Sequence, residues 1–116
     1  MTSERRGAPR FPFDAQARVR LRRGDSFVLV VPLDISERGV GVSLPERPKL
    51  GIVMTVSILA PSGSEVEIEA VVRHVEEAEG DGRFRLGLEF RNLDAERKAL
   101  IDAAILAAKA KPRQRA

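Results

Sequence analysis

The sequence predicts an all-β domain: a six-stranded antiparallel β-barrel with a C-terminal α-helix and a flexible N-terminal arm. Three observations predict it. Apolar and polar residues alternate in successive short runs between Ala15 and Phe90, the period-two pattern of strands with one buried and one wet face. Clusters of Gly, Pro and Asp separate the runs. The period becomes helical only once, beyond Asp94.

The first 14 residues, MTSERRGAPRFPFD, mix charges with Gly7, Pro9 and Pro12, which opposes regular structure. This is the arm, carrying its arginines on an irregular backbone. From Ala15, the residues Ala15, Ala17, Val19 and Leu21 fall on one face, and Gln16, Arg18, Arg20 and Arg22 on the other. Gly24-Asp25 marks a turn, and Phe27 to Val31 follows as a second strand that Pro32 confines to an edge or an early end. The two form a hairpin. Val40, Val42 and Leu44 define a third strand, and Ile52, Met54, Val56 and Ile58 a fourth, ended by Pro61-Ser-Gly. Val66, Ile68, Ala70 and Val72 define the fifth, with Glu65, Glu67 and Glu69 on its wet face. After the loop Glu79-Gly-Asp-Gly, the residues Phe84, Leu86, Leu88 and Phe90 complete the series. Evenly spaced antiparallel strands of this kind close most economically into a small barrel, because closure removes exposed edges. Leu100, Ile101, Ala104, Ile105 and Ala108 then recur at helical spacing behind Asp94, a residue suited to cap a first turn. That narrow stripe fits a helix laid on a barrel opening or a partner. The domain boundaries follow: arm 1–14, barrel with closing helix 15–109, basic tail 110–116.

A chain of 116 residues holds one domain with one core. It has no cysteine, which excludes disulfides and thiolate chemistry, and one histidine, His74, too few for the usual multi-histidine metal site. The longest apolar stretch is far shorter than a membrane span, and the charged N-terminus does not fit a signal peptide. A soluble, cytoplasmic protein without membrane insertion is expected. No nucleophile stands beside a base and no phosphate-cradling glycine loop is present, so an enzyme is not expected. The net charge of +3 is unevenly spread: seven arginines against Glu4 and Asp14 make the first 23 residues basic, the tail is basic, and the middle is acidic. A basic arm over an acidic body suits a small anionic ligand, since arginine forks match phosphate oxygens in pairs. A nucleic-acid partner is not expected, because a single-strand-binding barrel needs surface aromatics and the chain has neither Tyr nor Trp.

Two stretches depart from plain strand-and-turn logic. In Arg5-Arg6-Gly-Ala-Pro-Arg10, two arginines four residues apart on an irregular arm can curl around one ligand, or the arm can be a plain disordered tail. In Asp34-Ile35-Ser36-Glu37-Arg38-Gly39-Val40-Gly41, between the second and third strands, Asp34 and Ser36 can bond nearby amides and shape a turn. Gly39 can take a positive φ or admit a ligand closely. Each stretch alone has a purely structural reading.

Together, Arg-x-x-x-Arg at Arg6 and Arg10 and Asp-x-Ser-x-x-Gly at Asp34, Ser36 and Gly39 resemble the PilZ domain family. Arg85-Leu-Gly-Leu-Glu-Phe90, followed by Asn92-Leu-Asp and a helix, is similar to the family's last strand and closing helix, so the resemblance spans nearly the whole chain. It implies a PilZ-like split barrel and a bacterial signalling receptor for cyclic di-GMP, with no other cofactor and no metal. It further implies that Arg6 and Arg10 contact phosphates and guanine edges, Asp34 accepts from guanine N–H groups, Ser36 adds a bond, and Gly39 leaves room for the base. Arg5 looks suited to a stacked, two-molecule form of the ligand. The implied output is an altered surface read by a downstream protein partner, in motility or biofilm formation for example. The alternative within the same fold is an adaptor that binds no nucleotide and acts by protein contacts in motility or pilus function. Where many relatives carry glycine this chain has Arg38, expected to face solvent. Phe11 and Phe13 are expected to plug the barrel mouth. His74, near the end of a strand beside Glu76 and Glu77, could bind a metal or act as a base in principle, and neither role is expected.

Overall fold

In the computed structural model the residues described are 9–12, 18–28, 30–59, 63, 65–78, 80 and 82–110. Arg5, Arg6 and Phe13 lie outside them. The elements are β1 (Phe11–Pro12), β2 (Arg18–Arg23), β3 (Ser26–Val28), β4 (Val31–Ile35), β5 (Gly39–Leu44), β6 (Val53–Leu59), β7 (Glu65–Glu77), β8 (Phe84–Phe90) and α1 (Ala95–Ala110). All strands belong to one antiparallel sheet of order β1-β4-β5-β8-β7-β6-β2-β3. The sheet curls until β2 and β4 touch, but the end strands β1 and β3 are not paired with each other. The barrel is therefore a split one.

Eight strands replace the expected six for two local reasons. The short β1 places two arm residues on β4. The run from Phe27 to Val31 divides: β3 completes the hairpin with β2 across the Gly24-Asp25 turn, where Gly24 has φ +61°, and a new strand starts at Val31 to pair with β5. Pro32 does not end that strand. It lies where β4 has β5 on one side only, since β1 reaches no further than Asp34, and an edge tolerates a missing N–H.

The alternating residues fill the concave side. Leu21, Val40, Val42, Val56, Ile68, Val72, Leu86 and Leu88 are fully buried there. Ile101 and Ala104 of α1 join the same cluster, flanked by half-buried Leu100, Ile105 and Ala108, so the predicted helical stripe is the face that seals the core. α1 rests on β1 and β7. On the convex side, Arg20 and Arg22 of β2 reach across β6 to Glu65 (3.2 Å) and Glu67 (3.6 Å) of β7. The glutamate series is thus an ionic ladder rather than a bare solvent face. Ser57, between them on β6, donates a hydrogen bond to Glu65. That bond and Arg20 hold the Glu65 carboxyl below the usual carboxylate range. No helix among the described residues is long and apolar enough to cross a membrane.

Asp94 caps α1 as expected: its Oδ1 accepts from the Arg97 amide at 2.8 Å, and its Oδ2 from the Arg97 guanidinium at 2.6 Å. The amide bond above all, then the arginine charge, lowers the Asp94 pKa. A carboxyl whose pKa is lower in the folded state stabilises the fold above its unfolded-state value and ceases to do so as pH falls through the folded-state value. Asp94→Ala should therefore lower the melting temperature at pH 7, and the gap to the wild type should close as melts are repeated at successively lower pH below about 4.

Candidate ligand-binding site at the β4–β5 turn

The Asp-x-Ser-x-x-Gly stretch is not a loop between strands. It is the tip of a hairpin, with Asp34 and Ile35 ending β4, Ser36 to Arg38 turning, and Gly39 opening β5. Strand parity sets the directions. A bulge at Leu33 separates the pairs Pro32↔Val42 and Asp34↔Gly41, and it turns Asp34 outward while Ile35, paired with Val40, is fully buried. Ser36 is only 1% exposed. Its Oγ accepts from the amides of Arg38 (3.1 Å) and Gly39 (3.3 Å), and its own amide donates to the Gly39 carbonyl at 2.9 Å. The hydroxyl thus knits the turn.

The two glycines of the hairpin are explained by what a Cβ would meet. At Gly39 it would lie 1.9 Å from the Leu88 carbonyl oxygen of β8, so the backbone of a neighbouring strand occupies the space. Its φ is not positive, so the backbone path alone does not require glycine. At Gly41 a Cβ would lie 2.6 Å from Asp34 Oδ1. Gly41 makes the bed on which the Asp34 carboxylate rests, a role that the motif residues alone did not reveal.

Arg10 is brought to this carboxylate by β1. Phe11 pairs with Ile35 and Pro12 with Asp34, which leaves the preceding residue beside the tip of β4. Arg10 Nη1 stands 2.6 Å from Asp34 Oδ1, so the second half of Arg-x-x-x-Arg and the head of Asp-x-Ser-x-x-Gly, 24 residues apart, meet in one ion pair. The side chains are 48% and 35% exposed, so the pair contributes no more than about 1 kcal/mol to stability. Arg38 is exposed and makes no side-chain hydrogen bond or ion pair among the described residues, in keeping with the solvent orientation expected for it. α1 touches this region twice: Lys98 Nζ lies 4.0 Å from Glu37 Oε1, and the Lys109 ammonium stands 5.6 Å from the centroid of the half-buried Phe11 ring. His74 is exposed, with Nε2 3.2 Å from Glu76 Oε1, and no group of three or more potential metal ligands exists among the described residues. The arrangement sets an exposed arginine, carried by the chain before β1, against a carboxylate at the tip of the β4–β5 hairpin.

The fold is a split antiparallel barrel sealed by a helix, with a paired arginine and aspartate at a hairpin tip. The sequence matches the PilZ domain over residues 4–107, and the chain belongs to that family. No curated protein matches it. Among solved structures, the PilZ domain with c-di-GMP of YcgR from Escherichia coli is similar with a TM-score of 0.76 at 15% identity, over 92% of this chain and 93% of that one. The Bacillus subtilis inhibitor of motility (MotI/DgrA) has a TM-score of 0.71 at 24% identity, over 95% of this chain and 54% of that one. The K. pneumonia MrkH-c-di-GMP complex has a TM-score of 0.73 at 19% identity, over 93% and 54%. The chain thus spans about half the length of MotI and of MrkH.

Gly39→Ala should destabilise the domain by about 1–3 kcal/mol or more, because β8 backbone must move. Gly41→Ala, which meets only a carboxylate at the end of a side chain, should cost less. Urea unfolding midpoints of the two variants measure the order.

Proposed function

We propose that the chain is a bacterial cyclic di-GMP receptor or adaptor, a binding module rather than an enzyme, in which the ligand orders the N-terminal arm against the barrel and changes a surface read by a protein partner. The observation that carries the reading is the Arg10–Asp34 contact, which joins the two halves of the motif at one point of the surface. An anion with guanine faces finds there what it requires. An arginine fork matches phosphate oxygens or guanine O6 and N7, and a carboxylate accepts the N–H groups of the Watson–Crick edge. Arg10, and Arg6 one motif step earlier, are assigned to phosphate and guanine, and Asp34 to guanine N–H. Ser36 and Gly39 act by holding the hairpin tip, the role that suits a buried hydroxyl and a glycine pressed against β8. Arg5 is assigned to a second, stacked ligand molecule.

Before binding, Arg10 and Asp34 satisfy each other. Because the pair is exposed and weak, its rupture costs little against two charge-assisted contacts to the ligand, each worth about 1.5–3 kcal/mol. The arm then exchanges one partner for another, and the difference in contacts between the two states is what shifts the equilibrium. The same mutual satisfaction is what favours the second reading, an adaptor of the same fold whose arm stays on Asp34 and which takes no nucleotide.

Isothermal titration separates the two. Saturable heat with cyclic di-GMP, and none with GTP or cyclic GMP, is expected, and silence with all three leaves the adaptor. Arg6→Ala, Arg10→Ala and Asp34→Ala should each weaken binding about 10- to 100-fold. Unchanged affinity in all three would sink the mechanism.

A further inference from the structure

Helix α1 changes character halfway along. Its first half carries Glu96, Arg97, Lys98 and Asp102, the polar surface expected of a helix that lies on a core. From Ala103 to Ala108 the sequence is Ala-Ala-Ile-Leu-Ala-Ala, with no polar residue on any side. Ala104 is buried and Ile105 and Ala108 are half-buried against the barrel, while Ala103, Leu106 and Ala107 are exposed, Leu106 by 64%. Leu106 follows Ala104 by two residues, about 200° round the helix, so it points away from the core. A helix apolar on all sides belongs in an interior, and this half-helix has an interior on one side only.

Alanine alone carries no such message, since it is the best helix former on any surface. Two charges do. Asp102 stands one residue before the apolar run and Lys109 one residue after it. Seven residues apart, they occupy nearly the same side of the helix, on one flank of Leu106. Asp102 is exposed and makes no ion pair or side-chain hydrogen bond among the described residues; Lys98, the cation one turn earlier, lies towards Glu37 instead. Lys109 is exposed as well, and its ammonium stands over the Phe11 ring rather than beside a carboxylate. Among the described residues, then, each lacks a partner of opposite charge.

Two copies of the chain supply what one lacks. If the helices lie antiparallel about a two-fold axis at the middle of the run, between Ile105 and Leu106, each residue faces the one equally far beyond the axis. Asp102 then faces the partner's Lys109, and Lys109 faces the partner's Asp102. The two Leu106 side chains meet at the axis, and the small Ala103 and Ala107 let the helices approach closely. A parallel arrangement would oppose aspartate with aspartate and lysine with lysine. The charges thus select one pairing, and it is the pairing centred on the apolar run.

From this symmetry we infer that the outer face of α1 around Leu106 is a self-association surface, on which two copies of the chain form an antiparallel α1–α1 dimer closed by two Asp102–Lys109 ion pairs. The inference is independent of the nucleotide reading. The apolar centre is under two turns long, so the interface is small and the dissociation constant falls on the order of tens of micromolar.

Sedimentation velocity of the intact chain, from about 10 µM to about 1 mM, tests it. The sedimentation coefficient should rise from the monomer value towards that of a dimer and no further, since a two-fold pairing closes on itself. Leu106→Glu, at an exposed position where glutamate keeps the helix, should weaken association about tenfold or more. Asp102→Lys and Lys109→Glu each set like charges against one another at both contacts and should weaken it several-fold at low salt. An equimolar mixture of these two variants opposes unlike charges again at both contacts and should associate as the wild type does. A wild type that stays monomeric across the range overturns the inference. So does association that Leu106→Glu leaves unchanged, or a mixture that associates no better than its components. Should Leu106→Glu fail to fold, the charge-exchanged mixture decides alone.

Discussion

A β-strand with one face packed on a core can show solvent only at every second residue, and this molecule is governed by that parity. The inward set, from Leu21 through Leu88, is continuous enough to hold a curled sheet whose end strands do not pair with each other. Once the core has claimed one parity, any residue meant for the convex surface must either belong to the other parity or be moved there by a bulge. Asp34 and His74 are moved. Gly39, Gly41 and Gly87 belong there already, and the space their side chains would need is taken by the Leu88 carbonyl, the Asp34 carboxylate and the His74 Cβ. The candidate site is therefore a hairpin tip on the outer face of the sheet, where the Asp34 carboxylate lies over Gly41 and meets Arg10.

Electrostatics adds specificity to that surface without adding much stability. The ion pairs of the convex face, from Arg20 with Glu65 to Arg73 with Glu89, are exposed and mutually compensating. The arm is held by a contact of the same kind, and a contact of small net worth is suited to being exchanged. The sealing helix ties this exchange to the rest of the domain, since it meets Glu37 near one end and Phe11 near the other.

Much of the architecture was legible because burial is periodic. Every inward residue expected from alternation that the structure describes, from Val19 to Phe90, is buried or half-buried, and the helix stripe and its Asp94 cap lie where their spacing put them. What escaped was whatever breaks the period. β7 runs to Glu77 because the bulge at Arg73 hides the continuation from an alternation count, and the strand read from Phe27 to Val31 divides because its second half finds a different partner. The motif residues could be picked out one by one from their types and spacing. That Arg10 reaches Asp34 depends on a two-residue strand pairing, and that Gly41 cushions Asp34 depends on cross-strand register; neither leaves a trace in local sequence.

The trimmed edges of the sheet bear on how the protein behaves in a crowded solution. At one margin β1 offers two residues, one of them Pro12, which has no N–H to give; at the other, β3 offers three. Among the described residues, neither terminal strand by itself has the length to template a stranger's strand. An open sheet of eight strands would ordinarily invite stacking into fibrils through its unsatisfied borders. Here the two terminal strands among the described residues are short and one of them carries a proline, so the barrel stays unclosed without a long terminal strand at either border.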